Sequence, residues 1–414
     1  MLANAFFAMV LCPVTQGPPL GAAMPGWVCV LDHGAVADGQ TDCTEAFQTA
    51  LDAMGRLGGG VVWMPAGRYM IRGHLTVPPE VTLRGVWETA GREADGGGSF
   101  LLAVEGAGSE EGPPFITLRS HATLKGLAVL YPEQRNENPP VPYPWCVRGI
   151  GDNASILDCT LFNPYSGVDF GTQPAGRHYI RGLYMQSLRR GLLIDKCFDV
   201  GRVYDVHIWP FWAISGPARE FTRQQGEGFI IGRTDWEYMA NCFAIGCAVG
   251  FHLVAREDGG GNVLLTQSGS DVGPLAVQVD NVQDHSGISF CNSQIMATVK
   301  VAETNRGPVK FTACGFWPVG ETGAQAILRG GCQATFEGCH FVGWDSDGSG
   351  APCIDADCAG LTVTSCDFQK EGARQIVLGA NVQSAIIAQN RLRGGRKIEN
   401  GSSGDVQIGL NTVR

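Results

Sequence analysis

Two carboxylates one residue apart are the first feature of this chain with chemical potential. Asp235-Trp236-Glu237 sets acids at i and i+2. In an extended segment both point to one face, about 6.5 to 7 Å apart. That is the short edge of the separation at which one carboxyl protonates a leaving glycosidic oxygen and the other activates water. Asp271, in Gln267-Ser268-Gly269-Ser270-Asp271, is a third candidate, and Asp195, Asp199, Asp205 and His207 precede the triplet. A structural role fits the same residues: Asp235 capping a turn, Glu237 solvated, Asp271 closing an Asx-turn.

Aromatic residues accompany these acids. Tyr131, Glu133, Tyr143, Trp145 and Arg148 fall in one Pro-rich stretch, and His207, Trp209, Phe211 and Trp212 fall in another, just ahead of Trp236. Sugar rings stack on aromatic faces while their hydroxyls bond to nearby polar groups. Packing of long loops on the body of the protein would use the same aromatics. The sites expected are therefore Asp235, Glu237 and Asp271 for catalysis. Tyr131, Glu133, Trp145, Arg148, His207, Trp209, Trp212 and Trp236 are expected to bind substrate.

The elements that must position these residues repeat along the chain. An apolar strand, a small or polar pair and a second apolar strand recur at 122–127, 154–161 and 178–183. The pattern returns as Phe311-Thr312-Ala313-Cys314-Gly315-Phe316 and as Phe336-Glu337-Gly338-Cys339-His340-Phe341. It closes with Val363-Thr364-Ser365-Cys366-Asp367-Phe368 and Ile387-Ala388-Gln389-Asn390-Arg391-Leu392. Cys314 to Cys339 is 25 residues, Cys339 to Cys366 is 27, and Cys366 to Asn390 is 24. A period of this length is that of a chain winding round an axis. Equivalent residues then lie one strand spacing apart, about 4.8 Å. Cys314, Cys339 and Cys366 are expected to stack inward, as are Phe316, Phe341 and Phe368, with Asn390 and Asn411 satisfying turn backbone. Two stretches break the period, 131–148 and 209–235. Insertions in a solenoid gather on one face, so these are expected to wall one groove.

Residues 30 to 85 set the start of the coil. Asp42 and Glu45 have capping-box spacing, and Ala46, Ala50, Leu51, Met54 and Leu57 form a helical stripe that ends at Gly58-Gly59-Gly60. Short strands follow, separated by Pro and Gly. Gly34-Ala35, Asp38-Gly39, Thr41-Asp42, Thr44, Gly58 to Val61, Pro65, Gly67 and Tyr69 together resemble the opening segment of the pectate-lyase-like superfamily. The group most alike is that called glycoside hydrolase family 28-related, or pectate lyase 3. His33 and Cys43 depart from its usual Phe and Asp. The resemblance implies an all-β, single-stranded right-handed parallel β-helix with an N-terminal capping helix. It brings no active site with it. The Asn-Thr-Asp, Asp-Asp, Gly-His-Gly and Arg-Ile-Lys motifs of polygalacturonases are absent, as are the Trp-x-Asp-His and Arg-x-Pro-x-x-Arg motifs of extracellular pectate lyases.

Composition agrees with a solenoid. Glycine numbers 58 in 414 residues and charged residues make up only 17%. The net charge of −10 argues against a nucleic-acid partner. The 15 cysteines include no Cys-x-x-Cys pair, so a structural zinc site is not expected, and several sit at repeat positions that suit small apolar core residues. No row of aspartates on successive coils suggests calcium, so no metal or cofactor is expected. Residues 1–25 carry an apolar run but no Lys or Arg precedes Arg56, as in a degenerate signal peptide or an N-terminal arm. Residues 26–414 are expected to form one domain, with no membrane-spanning segment. The expected function is that of a carbohydrate-active enzyme, a glycoside hydrolase acting on a polysaccharide or oligosaccharide outside the cell or in the periplasm. The alternatives are a polysaccharide lyase and a non-catalytic glycan-binding solenoid. A homo-oligomer is compatible with each.

Overall fold

The computed structural model describes residues 26–86 and 96–414. The expectation for residues 1–25 lies outside the described residues. Three stacks of short parallel strands run the length of the molecule. The first begins at Trp27–Cys29 and ends at Asp405–Gly409. Fourteen successive parallel pairings join its members, which makes fifteen levels. The second stack runs from Asp38–Asp42 to Thr412–Val413, and the third from Leu75–Val77 to Ile398–Asn400. The chain is a parallel β-solenoid of the right-handed type.

Alternation along each strand decides what is inside. In the third sheet Val147, Val168, Leu192, Phe229, Phe251, Val277 and Val299 share an inward row and are buried. The residue after each forms the outward row. Inward aromatics stack level on level. Phe316, Phe341 and Phe368 lie 4.7 Å apart between successive ring centroids, and Phe290, Phe311 and Phe336 lie 5.3 Å apart.

The corner between the first and second sheets is a single left-handed residue. Asp158, Asp205, Asn241, Gln267, Asn292, Ala313, Ser365 and Gln389 occupy it with φ between 49° and 61°. Asp and Asn tolerate this region best among side-chain-bearing residues. The turn leaves the next backbone N–H pointing along the axis, and the residue that follows supplies an acceptor one level away. Ser268 Oγ accepts from Cys242 N, Asn390 Oδ1 from Cys366 N and Asn411 Oδ1 from Asn390 N, at 2.9 to 3.1 Å. Cys314, Cys339 and Cys366 occupy this row, as expected from the period. The fourteen cysteines among the described residues are all unpaired, and only Cys29 and Cys291 reach the surface.

Helix α1 (Thr44–Arg56) buries Phe47, Ala50, Leu51 and Met54 against the strands of the first levels. The expected capping box does not form. Cys43 is the cap residue and makes no side-chain cap bond, while Asp42 accepts the Thr44 N–H and the Thr44 hydroxyl. Leu57 is exposed, because the helix ends one residue before it.

The two insertions are shorter than the sequence suggested. Trp145–Gly149 is a strand of the third sheet, so the first insertion ends at residue 144. The second contains helix α2 (Pro217–Gln225) and gives way to the third-sheet strand Glu227–Ile231. Both leave from the corner between the second and third sheets, and Ala218 N donates to Asn136 O where they meet.

Candidate functional site

Glu227, His252 and Asp280 stand on successive levels of the outer face of the third sheet. Glu227 opens its strand directly after α2, His252 lies on the outward row of the next strand, and Asp280 follows the end of the strand after that. His252 Nδ1 meets Glu227 Oε1 at 2.5 Å and Nε2 meets Asp280 Oδ2 at 2.8 Å. Arg189 Nη1 reaches Glu227 Oε2 at 3.1 Å, and Gln278 Nε2 donates to Asp280 Oδ1 at 2.9 Å. Lys300, one level beyond Gln278 on the outward row, adds positive charge beside Asp280.

Burial works against a charged imidazole here, but the hydrogen bonds the ring donates to Asp280 and Glu227 outweigh it and lift His252 to about 9. Its bond to His252 is the main reason that Asp280 is held below the ordinary carboxylate range. Burial pushes Glu227 up, and His252 and Arg189 more than reverse this. At neutral pH the array is an imidazolium between two carboxylates, partly open to solvent. The carboxylates are separated by one ring and two hydrogen bonds. Such an array can donate a proton from the ring and accept one at a carboxylate.

The residues singled out from sequence are dispersed. The Glu237 side chain lies wholly inside the coil, bonded to His178 Nε2 at 3.0 Å. Strand alternation explains this: Trp236 and Tyr238 face outward, so Glu237 and Met239 face inward. Asp235, at the start of the same strand, pairs with Arg233 near the surface. The two acids therefore do not share a face of any cleft. Asp271 ends a strand of the second sheet, where burial raises its pKa and Arg219 partly offsets that. The three do not form one site.

The aromatics fill their own loops. Tyr131 and Tyr143 are buried against one another at 4.8 Å, and Glu133 accepts from the Tyr143 hydroxyl. Trp209 stacks on His207 and joins Trp212 in covering Phe100, Phe162 and Phe211 on the outside of the second sheet. Between Trp209, Ser187, Arg219 and Cys247 only about 10 Å³ remains, scarcely space for one water. Trp145 lies under the Arg190 guanidinium, and Arg148 pairs with buried Asp169 at 2.5 Å. These two lie on the outer face of the third sheet, several levels before His252. Trp236 is exposed on the first sheet, where open depressions of about 510 and 490 Å³ are lined by Arg181, Tyr204, Asn241, Gln267 and Tyr238.

Sequence reading missed Glu227, His252 and Asp280, although a signal was present. They are 25 and 28 residues apart, close to one coil each, although the register places Ile230 and Gln278, not the two acids, level with His252.

Comparison with known proteins agrees with this architecture. Residues 27–109 match the family model described as rhamnogalacturonase A/epimerase, pectate lyase-like. Alginate lyase 7 of Azotobacter vinelandii is 50% identical over 44 residues, which is 11% of this chain and 5% of that protein. Mannuronan C5-epimerase AlgE3 of the same organism is 40% identical over 76 residues, 16% of this chain and 4% of that protein. The matched segments thus span only about a twentieth of these relatives. Among solved structures, the bacteriophage Phi29 gene product 12 N-terminal fragment aligns with a TM-score of 0.62 at 12% identity, over 93% of this chain and 71% of that one. The AlgE6 A-module of Azotobacter vinelandii aligns at 0.53 and 16% identity, over 93% and 97%. The tailspike of E. coli bacteriophage HK620, in complex with a pentasaccharide, aligns at 0.52 and 12%, over 91% and 67%. The opening segment of the chain is thus similar to the pectate-lyase-like family model, and the chain shares a parallel β-solenoid fold with these structures.

Proposed function

We propose that this protein is a polysaccharide-acting enzyme whose acid–base chemistry resides at Glu227, His252 and Asp280. The observation that carries the reading is the imidazole held between two carboxylates on the outer face of a rigid sheet. Stacked strands fix such groups without a loop having to order. The partial matches to an alginate lyase and a mannuronan epimerase support a polysaccharide or oligosaccharide as the substrate. As a glycoside hydrolase, Asp280, the more exposed acid, takes a proton from water as the water attacks the anomeric carbon. His252 gives its proton to the departing glycosidic oxygen. Proton transfer by a positioned group contributes on the order of 10²- to 10⁴-fold.

A lyase reading is favoured by the neighbouring cations. Arg189 and Lys300 can neutralise a sugar carboxylate, a carboxylate of the site then takes the adjacent carbon-bound proton, and His252 protonates the leaving oxygen. A glycan-binding role without cleavage is favoured by the exposed Trp236, Tyr204 and Tyr238 surface. The protein fits a setting outside the cytoplasm, where such polymers occur. No helix among the described residues is long and apolar enough to cross a membrane. We infer that α1 covers the first level of the solenoid, and that residues 26–414 act as one unit.

Incubation with a panel of neutral and acidic polysaccharides tests the assignment. New reducing ends without ultraviolet absorbance from an unsaturated sugar identify a hydrolase, and the same ends with that absorbance identify a lyase. Retention without cleavage would overturn the enzymatic reading.

A further inference from the structure

A second imidazole lies sealed inside the coil. His178 immediately precedes a first-sheet strand, Cys197 opens the strand one level on, and Glu237 lies in the strand after that. All three side chains are buried, and their donor atoms lie within 4.8 Å of one another. His178 and Glu237 are two levels apart on one inward row, with Gly201 between them. A Cβ at Gly201 would stand 2.1 Å from Glu237 Oε2, so the missing side chain is what lets histidine and glutamate meet.

We propose that His178, Cys197 and Glu237 form a buried site for a divalent metal ion, with zinc the best fit to the ligand set. Nitrogen, sulfur and carboxylate oxygen together suit a borderline-soft ion. His178 Nδ1 meets Ala175 O at 2.9 Å. With the Nδ1 proton donated to that carbonyl, Nε2 is left to face Cys197 and Glu237. This is the outer-shell bond that orients metal-binding histidines. Phe170 stacks on the ring at 5.3 Å and fixes its plane. Donors around one zinc ion stand about 2.0 to 2.3 Å from it, and so about 3 to 4 Å from each other. His178 Nε2 and Glu237 Oε1 are already 3.0 Å apart, and small side-chain rotations bring in the sulfur.

Charge balance favours the ion. A thiolate, a carboxylate and a neutral imidazole around a divalent cation sum to zero, and a sealed apolar interior requires near-neutrality. Without an ion, the same neutrality needs an imidazolium–carboxylate pair beside a protonated thiol. The site is inside the coil and separate from the outer acid–base array, so its role is structural: a clip across three levels, bound during folding.

The test uses the full chain produced in zinc-supplemented medium, and also refolded with Co²⁺. Plasma mass spectrometry after dialysis is expected to find one zinc per chain. The cobalt form is expected to show a thiolate-to-cobalt charge-transfer band, which Cys197→Ser removes while circular dichroism stays unchanged. If Cys197→Ser does not fold, the wild-type cobalt spectrum still decides. Zinc at the level of a non-binding control protein, or cobalt bound without a thiolate band, would overturn the proposal. Equal zinc in wild type and folded Cys197→Ser would do the same.

Discussion

The inside and the outside of this solenoid each carry a histidine bonded to glutamate, and the two pairs obey different rules. His178 and Glu237 are wholly enclosed, whereas His252 keeps an edge toward solvent between Glu227 and Asp280. For the inner pair without a metal ion, burial opposes charge on the ring, and Glu237 together with Cys197 overcomes it, which holds His178 well above its ordinary range. For the outer pair two carboxylates do the same work, yet water remains within reach. An enclosed pair can hold strands together but cannot exchange protons with a substrate. A half-open pair is available for chemistry. Position inside or outside the coil thus decides whether the same side chains are sealed or within reach of water.

The sharpest way to separate the two is to remove one partner from each. In the metal-free chain Glu237→Ala leaves a buried imidazole without its counter-charge and is expected to cost about 3–5 kcal/mol in denaturant unfolding. His252→Ala is expected to cost less than Glu237→Ala, because its partners can turn to water. Equal losses at the two sites would erase the distinction. A smaller effect is expected from Gly201→Ala, which forces a methyl group against the Glu237 carboxylate. Overpacking of this kind costs about 1–3 kcal/mol, and an unchanged unfolding midpoint would show that Glu237 does not lie across Gly201.

Proton linkage gives a third comparison. The pKa of His252 is raised on folding, so its contribution to stability is complete below its unfolded value of about 6.5 and is lost as the pH rises through about 9. Glu227 and Asp280 are lowered, so theirs is present above about pH 4.5 and is lost as the pH falls through their folded values. An NMR titration of the His252 ring is expected to show a midpoint near 9, moving down in Asp280→Asn. A midpoint at the free-histidine value would remove the ion-paired array. The smallest effect is expected at Trp236. It projects from the first sheet, and its replacement by Ala is expected to change stability within about 0.5 kcal/mol.

The coil was legible in the sequence and the site was not. The Cys314, Cys339 and Cys366 spacing predicted one inward row, because packing in a solenoid imposes the same residue type at each level. The opening segment likewise announced the helix and the first strands. The acidic triplet failed for a local reason: two-residue periodicity aligned Asp235 with Glu237, but a strand also has a buried face, and the exposed Trp236 and Tyr238 put Glu237 on it. The aromatic stretches failed because a long loop must cover its own apolar surface before it can offer any to a ligand. Glu227, His252 and Asp280 are scattered in sequence and come together only once the register is known. Their spacing of one coil was visible, but many other pairs share it.

The most direct test compares wild type with His252→Asn on a polysaccharide that the wild type cleaves, following initial rates and thermal unfolding together. The predicted result is a rate lower by about 10²- to 10⁴-fold in a protein that still unfolds cooperatively. A His252→Asn protein that cleaves at the wild-type rate would contradict the assignment of the acid–base chemistry to the outer face of the third sheet.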